Sequence, residues 1–264
     1  MAENCREELL ALDGGRNFGL LTRASGTSRR TAVLLLNAGL IHRTGPFRLH
    51  VHLARTLAAQ GMDVLRFDMP RIGDADAGSL AGSEAVVTDA LDALQSATGC
   101  TGFIVGGLCS AADRAWLCAS RDNRVTGVLL IDGMAVRNAW FRVGQFGLML
   151  RRGPAAWAGM ITRALRARAA HAPRMADFRE WPGAEEFRDQ TARMLQRGVR
   201  ILALYTGGVA YYMLHPRQLD ATFGVARKHP GLELVFRPEL DHMLFDPADR
   251  ERMIERIRNW AVAG

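Results

Sequence analysis

Short apolar, often β-branched runs alternate with helix-period segments along almost the whole chain, and this alternation restricts the fold more than any other feature of the sequence. It predicts a mostly parallel central sheet with helices on both faces, because parallel neighbours need a crossover and a helix is the usual one. Strands are expected at Phe18–Ala24, Thr31–Gly39, Asp63–Met69, Gly102–Leu108, Val125–Ile131, Arg200–Tyr205 and Leu232–Arg237. Helices are expected at Phe47–Gln60, Ser83–Ala97, directly after Leu108, at Ala184–Gln196, at Arg217–Lys228 and at Pro247–Ala261. Gly61 and Gly198 mark helix ends, and Asp246 is a natural N-cap. The 264 residues are enough for one large domain with its own core.

Residues 134–183 break this rhythm. They hold Trp140, Trp157, Trp181 and nine arginines against Asp177 and Glu180, a balance of +7 that equals the formal charge of the whole chain. Within them Trp157–Ala170 has an amphipathic, basic pattern. An insertion that follows a strand end predicts a helical lid, residues 134–183, on a core made of 1–133 and 184–264. The competing reading is a plain helical excursion with a solvated arginine face. Lys228 is the single lysine, so the arginines reflect a compositional bias. With no helix-turn-helix or interleaved RNA-binding motif, nucleic acid is not an expected partner.

The first residues, M-A-E-N-C-R-E-E, lack the apolar core of a signal peptide, and no apolar run reaches membrane-spanning length. Cys5, Cys100, Cys109 and Cys118 show neither metal-type nor disulfide-framework spacing, which predicts reduced thiols and a cytoplasmic location. No metal or cofactor is implied; His50 and His52 are close in sequence but have no third ligand at metal-type spacing.

The chemistry points to one segment. Gly102-Phe-Ile-Val-Gly-Gly-Leu-Cys-Ser-Ala-Ala-Asp113 passes from an apolar run into a helix pattern, as the G-x-S-x-G nucleophile elbow does, with cysteine in place of serine. Gly107 and Ala111 supply the small residues that a sharp strand-to-helix turn requires. Cys109 would then sit at a helix N-terminus, where the macrodipole favours thiolate. A buried filler cysteine is the plainer alternative.

A base must reach that thiol. His242, on the short loop between the last strand and the terminal helix, is where this topology delivers one. The oxyanion donors expected are the backbone N–H groups of Ser110 and of Leu40 or Gly39. Asn37, His42 and Arg43 either line the substrate pocket or fix that loop, and Trp140 is a further candidate for substrate contact. No carboxylate follows the Arg200–Tyr205 strand, where the sequence reads Thr-Gly-Gly-Val-Ala-Tyr. Asp132, at the end of the neighbouring strand, can supply the acid or serve as a cap or salt-bridge partner. A thiol with a pKa of about 8.5 also allows a Cys–His dyad without an acid.

With these residues assembled, the chain resembles the α/β-hydrolases, and among them the bacterial exosortase A system-associated hydrolases. The resemblance rests on L-L-N-A-G-L-I-H-R-T-G-P-F-R (Leu35–Arg48), V-L-R-F-D-M-P-R-I-G-D (Val64–Asp74), G-L-C-S-A-A and E-L-D-H-M-L-F. It implies the α/β-hydrolase fold, a cysteine nucleophile at Cys109 and a base at His242. Three positions depart from the family pattern: Val209 for its acid, Ala111 for its elbow glycine and Arg71 for a glycine. The function expected is acyl transfer or thioester hydrolysis through an S-acyl intermediate. The substrate would be a small acyl compound, carried on coenzyme A or an acyl or peptidyl carrier protein that the basic insertion would attract. A carboxylesterase or lactone hydrolase and a non-catalytic binding protein are the alternatives.

Overall fold

The computed structural model describes residues 5–80, 82–150, 179 and 181–263. Eight strands form one sheet in the order β1-β2-β4-β3-β5-β6-β7-β8. They are β1 Glu7–Leu12, β2 Asn17–Thr22, β3 Thr31–Leu35, β4 Val64–Phe67, β5 Gly102–Leu108, β6 Val125–Ile131, β7 Arg200–Thr206 and β8 Leu232–Arg237. From β4 to β8 the pairing is parallel, while β2 and the edge strand β1 are antiparallel. Every residue of β4 and β5 is buried, as expected of strands covered on both faces.

The helices are α1 Leu49–Ala58, α2 Gly82–Thr98, α3 Ser110–Arg121, α4 Ala184–Gln196, α5 Gln218–Phe223 and α6 Pro247–Val262. Helix α1 packs against α6, while α2, α3 and α4 pack in series. Asp246 caps α6, its carboxylate accepting the Ala248 N–H at 2.7 Å. The chain steps from β3 outward to β4, then back across β3 to β5. With right-handed crossovers, that reversal sends α1 to one face and α2 and α3 to the other. The loops leaving the carboxyl ends of β3 and β5 therefore diverge and open a crevice, the usual ligand position in such sheets.

Three expectations are corrected. Strand β1 was not foreseen. The helix expected from Phe47 begins at Leu49, because Phe47 and Arg48 adopt positive φ of 46° and 62° in a short 3-10 turn. The helix expected over Arg217–Lys228 breaks at Gly224, whose φ is 55°, and ends as a 3-10 turn. Within 134–183 the backbone is helical over residues 139–150. Trp157–Ala170, including Arg163, Arg166 and Arg168, lies outside the described residues.

Candidate active site

Strand β5 ends in a sharp turn at Cys109, with φ 58° and ψ −120°, and α3 starts at the next residue. A side-chain-bearing residue in this region costs on the order of 1–3 kcal/mol. The surroundings hold it there: the Cys109 N–H donates to the Ile131 carbonyl at 2.8 Å, and its own carbonyl accepts the Ala112 N–H at 3.0 Å. A Cβ on Gly107 would stand 2.5 Å from the Ala111 Cβ and 2.7 Å from the Leu36 carbonyl. Glycine is required at that position, and its missing side chain is what makes room for alanine at 111.

Asp132 follows β6 and is also in a left-handed conformation, φ 54°. Its carboxylate is fully buried. One oxygen accepts the Thr206 N–H at 2.6 Å, and the other accepts the Thr206 hydroxyl and His242 Nδ1–H, each at 2.7 Å. The imidazole of His242 lies close enough to the Cys109 thiol for each to shift the other's ionisation. With Nδ1 held by Asp132, Nε2 is left to face the sulfur. Cys109, His242 and Asp132 are thus gathered at one end of the sheet, with the imidazole held by the carboxylate. Val209 is buried in the turn after β7, so the carboxylate that meets the imidazole comes from the adjacent strand.

His242 reaches this position because its loop lies flat on the end of β7. The Gly207 N–H donates to the Leu240 carbonyl at 2.8 Å, and a Cβ on Gly208 would run into the His242 backbone and Cβ. Burial works against the Cys109 thiolate, but the hydrogen bond to His242, the nearby Arg179 and imidazole charges and the Ser110 N–H outweigh it and bring the thiol below its ordinary value. Burial likewise works against the imidazolium of His242. The hydrogen bonds to Asp132 and Cys109 overcome it and push the imidazole up to about 9. The two shifts act in the same sense, each favouring the charged form of its own group.

The Ser110 N–H stabilises the Cys109 thiolate. Of the two donors considered on the β3 loop, Gly39 is occupied, its N–H donating to the Ser110 hydroxyl at 2.9 Å. The Leu40 N–H has no hydrogen-bond partner among the described residues, and its side chain is 88% exposed. Asn37, His42 and Arg43 fix the loop. The Asn37 amide donates to the Ile41 carbonyl at 3.0 Å and accepts the Met69 N–H at 3.1 Å. His42, Asp68 and Asp74 offer ligand atoms within 4.8 Å of one another, but the guanidinium of Arg43 already bridges the carboxylates, 2.5 Å from Asp68 and 2.7 Å from Asp74. That cluster carries its own cation and does not need a metal. Trp140 stacks on His215, with Arg217 over its ring.

Sequence reasoning missed Arg179, Thr206 and Tyr212. Arg179 was one of nine arginines in the insertion, and nothing in its neighbours distinguishes it. Beside the elbow lies a cavity of about 450 Å³, walled by Ser110, Trp116, Met134, Arg179, Trp181 and Phe187.

Comparison with solved structures settles the architecture. An esterase of Pyrococcus furiosus superimposes with a TM-score of 0.61 at 12% identity, over 97% of this chain and 90% of that one. The esterase domain of a Rhodothermus marinus protein gives 0.57 at 16% identity, over 99% of both chains. A dienelactone hydrolase, so described, from Klebsiella pneumoniae gives 0.57 at 12% identity, over 98% of both. The chain has the α/β-hydrolase fold. No family model and no curated protein matches its sequence. Within this α/β-hydrolase fold the Cys109 thiol lies at the strand-to-helix turn after β5, and the His242 imidazole approaches from the loop after the last strand. Among the described residues no helix is long and apolar enough to cross a membrane.

Proposed function

We propose that this chain is a cysteine-nucleophile acyl-transfer enzyme acting on an ester or thioester. The observation that carries the proposal is the Cys109 thiol at a strained strand-to-helix turn beside His242, whose Nδ1 is hydrogen-bonded to the buried Asp132. The Cys109 thiolate attacks the substrate carbonyl and forms the C–S bond, and the N–H groups of Ser110 and Leu40 receive the oxyanion. The imidazolium of His242 then gives its proton to the departing oxygen or sulfur, leaving an S-acyl enzyme. Water or another nucleophile, deprotonated by His242, attacks that thioester and returns the thiolate. Asp132 keeps Nδ1 protonated and Nε2 directed at the sulfur, the role of an orienting acid.

Thioester intermediates react readily with nucleophiles other than water, which supports transfer beside hydrolysis. The +7 balance of residues 134–183 supports an acyl group carried on an anionic handle such as coenzyme A or a carrier protein. A carboxylesterase is the second reading, supported by what the structural neighbours are described to be. The resemblance to exosortase A system-associated hydrolases supports the cysteine as nucleophile in either case.

Intact-mass spectrometry after brief exposure to acyl-coenzyme A and activated-ester probes tests the proposal, with Cys109→Ala alongside. A single acyl adduct that the variant lacks is the expected result. Coenzyme A thioesters acylating faster than simple esters support the carrier reading, and the reverse order supports the esterase. Cys109 acylating no faster than Cys5, Cys100 or Cys118 overturns both and leaves a non-catalytic binding protein.

A further inference from the structure

Among the described residues, Arg179 is the one charged side chain that hydrogen-bonds the backbone of both Cys109 and Asp132. It is 5% exposed, and all five N–H groups of its guanidinium are used. Nε and one NH2 hydrogen bind the two oxygens of Asp113 at 2.6 and 2.7 Å. The second NH2 hydrogen reaches the Cys109 carbonyl at 3.2 Å. The NH1 hydrogens reach the Asp132 carbonyl and the Tyr212 hydroxyl, both at 3.1 Å. Tyr212 closes the figure by donating its hydroxyl to the same Asp132 carbonyl at 2.6 Å. Trp181 donates to Asp113 at 3.1 Å, and its ring lies 4.8 Å from the guanidinium carbon.

The carbonyls that Arg179 holds belong to Cys109 and Asp132, both at positive φ, at the ends of adjacent strands β5 and β6. Their strain has to be balanced by what surrounds them. Resting on the functional reading above, we propose that Arg179 is the positioning residue of the site. Its planar fork locks the strained backbones of nucleophile and acid in one frame, so that sulfur, imidazole and carboxylate stay aligned. A lysine cannot replace it, because one ammonium cannot span a carboxylate and two divergent carbonyls. Since Arg179 belongs to the 134–183 segment, the alignment of the core's site depends on that insertion being in place.

The titratable and charged groups that act on the Cys109 thiol electrostatically are His242 from the β8 loop, Arg179 itself, Tyr211 from the β7 loop and Arg114 from α3; Asp113 binds the guanidinium. The test is iodoacetamide alkylation of Cys109 from pH 4 to 10, read peptide by peptide, in the wild type, Arg179→Lys and Arg179→Ala, with and without added ethylguanidinium. In the wild type Cys109 should alkylate at pH 7 at least tenfold faster than Cys118. If it does not, the nucleophile reading fails before Arg179 is questioned.

Given that reactivity, Arg179→Lys should lower the rate at pH 7 by roughly tenfold and move the midpoint upward, because each unit of upward shift in a thiol's pKa removes about nine-tenths of its thiolate below that pKa. Ethylguanidinium should restore part of the rate in Arg179→Ala. A folded Arg179→Lys with an unmoved profile overturns the inference, even if its Tm falls. Should Arg179→Ala not fold, Arg179→Gln with and without ethylguanidinium serves instead, and a folded variant with a profile identical to wild type overturns the inference equally.

Discussion

Replacing Asp132 by asparagine isolates one buried charge. The change is almost isosteric, and the amide oxygen still accepts the Thr206 N–H that the carboxylate takes at 2.6 Å, so the end of β6 keeps its anchor. What disappears is the anion 2.7 Å from His242 Nδ1. Holding that imidazole at about 9 against its ordinary 6.5 corresponds to about 3 kcal/mol between its protonation states. Burial opposes that shift and Asp132 is the largest contribution raising it, so without the carboxylate the pKa of His242 falls. The asparagine NH2 also donates where an acceptor stood, which favours the tautomer with Nε2 protonated and takes the acceptor away from the thiol. kcat/KM toward p-nitrophenyl acetate should fall by about 10²–10³. That is less than the roughly 10⁴ of the comparable change in a serine triad, because a thiol near 8.5 needs less help to ionise. The pH profile of Cys109 alkylation should lose its reactive region below pH 8 and keep only the alkaline limb of a lone thiol. A folded variant that changes kcat/KM by less than about threefold, with an unmoved profile, would refute the reasoning and leave a dyad in which Asp132 is only a structural anchor.

Two further outcomes follow from geometry and burial. Gly208→Ala drives a Cβ into the His242 backbone, so it should lower kcat by at least about tenfold while leaving KM within about twofold; an unchanged kcat would show that the loop shifts without moving the imidazole. His50 is fully buried and burial, aided by the charge of Arg66, holds it at about 4, against 6.5 in the unfolded chain. The unfolded state therefore binds the extra proton between those values, and stability should fall by up to about 3 kcal/mol as pH drops from 6.5 to 4. Urea unfolding midpoints measured across that range should flatten in His50→Gln, and an equal slope in both proteins would assign the acid sensitivity elsewhere.

The features legible in the sequence are those that a strand end carries by itself. β5 and β6 read as apolar runs, and the residue at the end of each, Cys109 or Asp132, is delivered to the same edge of the sheet by topology alone. The hidden features depend on contacts between distant segments. Strand β1 reads Glu-Glu-Leu-Leu-Ala-Leu, with no strict alternation, and exists through its antiparallel pairing with β2 at the sheet edge. Phe47 and Arg48 are ordinary residue types whose left-handed backbone is imposed by the loop between β3 and α1, so the helix pattern extends into them in sequence but not in space. Arg179 is chemically identical to eight neighbours in the insertion, and only the positions of two carbonyls 47 and 70 residues away single it out.

Val209 shows why the acid is the least readable member of such a site. β6 and β7 are parallel neighbours, with Ile131 in register with Leu204, so their following residues flank the same imidazole. A carboxylate from either strand can therefore reach Nδ1. What commits this chain to β6 is Thr206, the last residue of β7. Its N–H and hydroxyl both point at Asp132, which gives the buried anion two donors besides the imidazole and removes the need for a carboxylate on its own strand. The position after β7 is then free to become apolar, and Val209 fills it as core. In this chain it is Thr206 closing β7 together with Asp132 closing β6 that marks Asp132 as the carboxylate proposed for the acid, and neither residue indicates it alone.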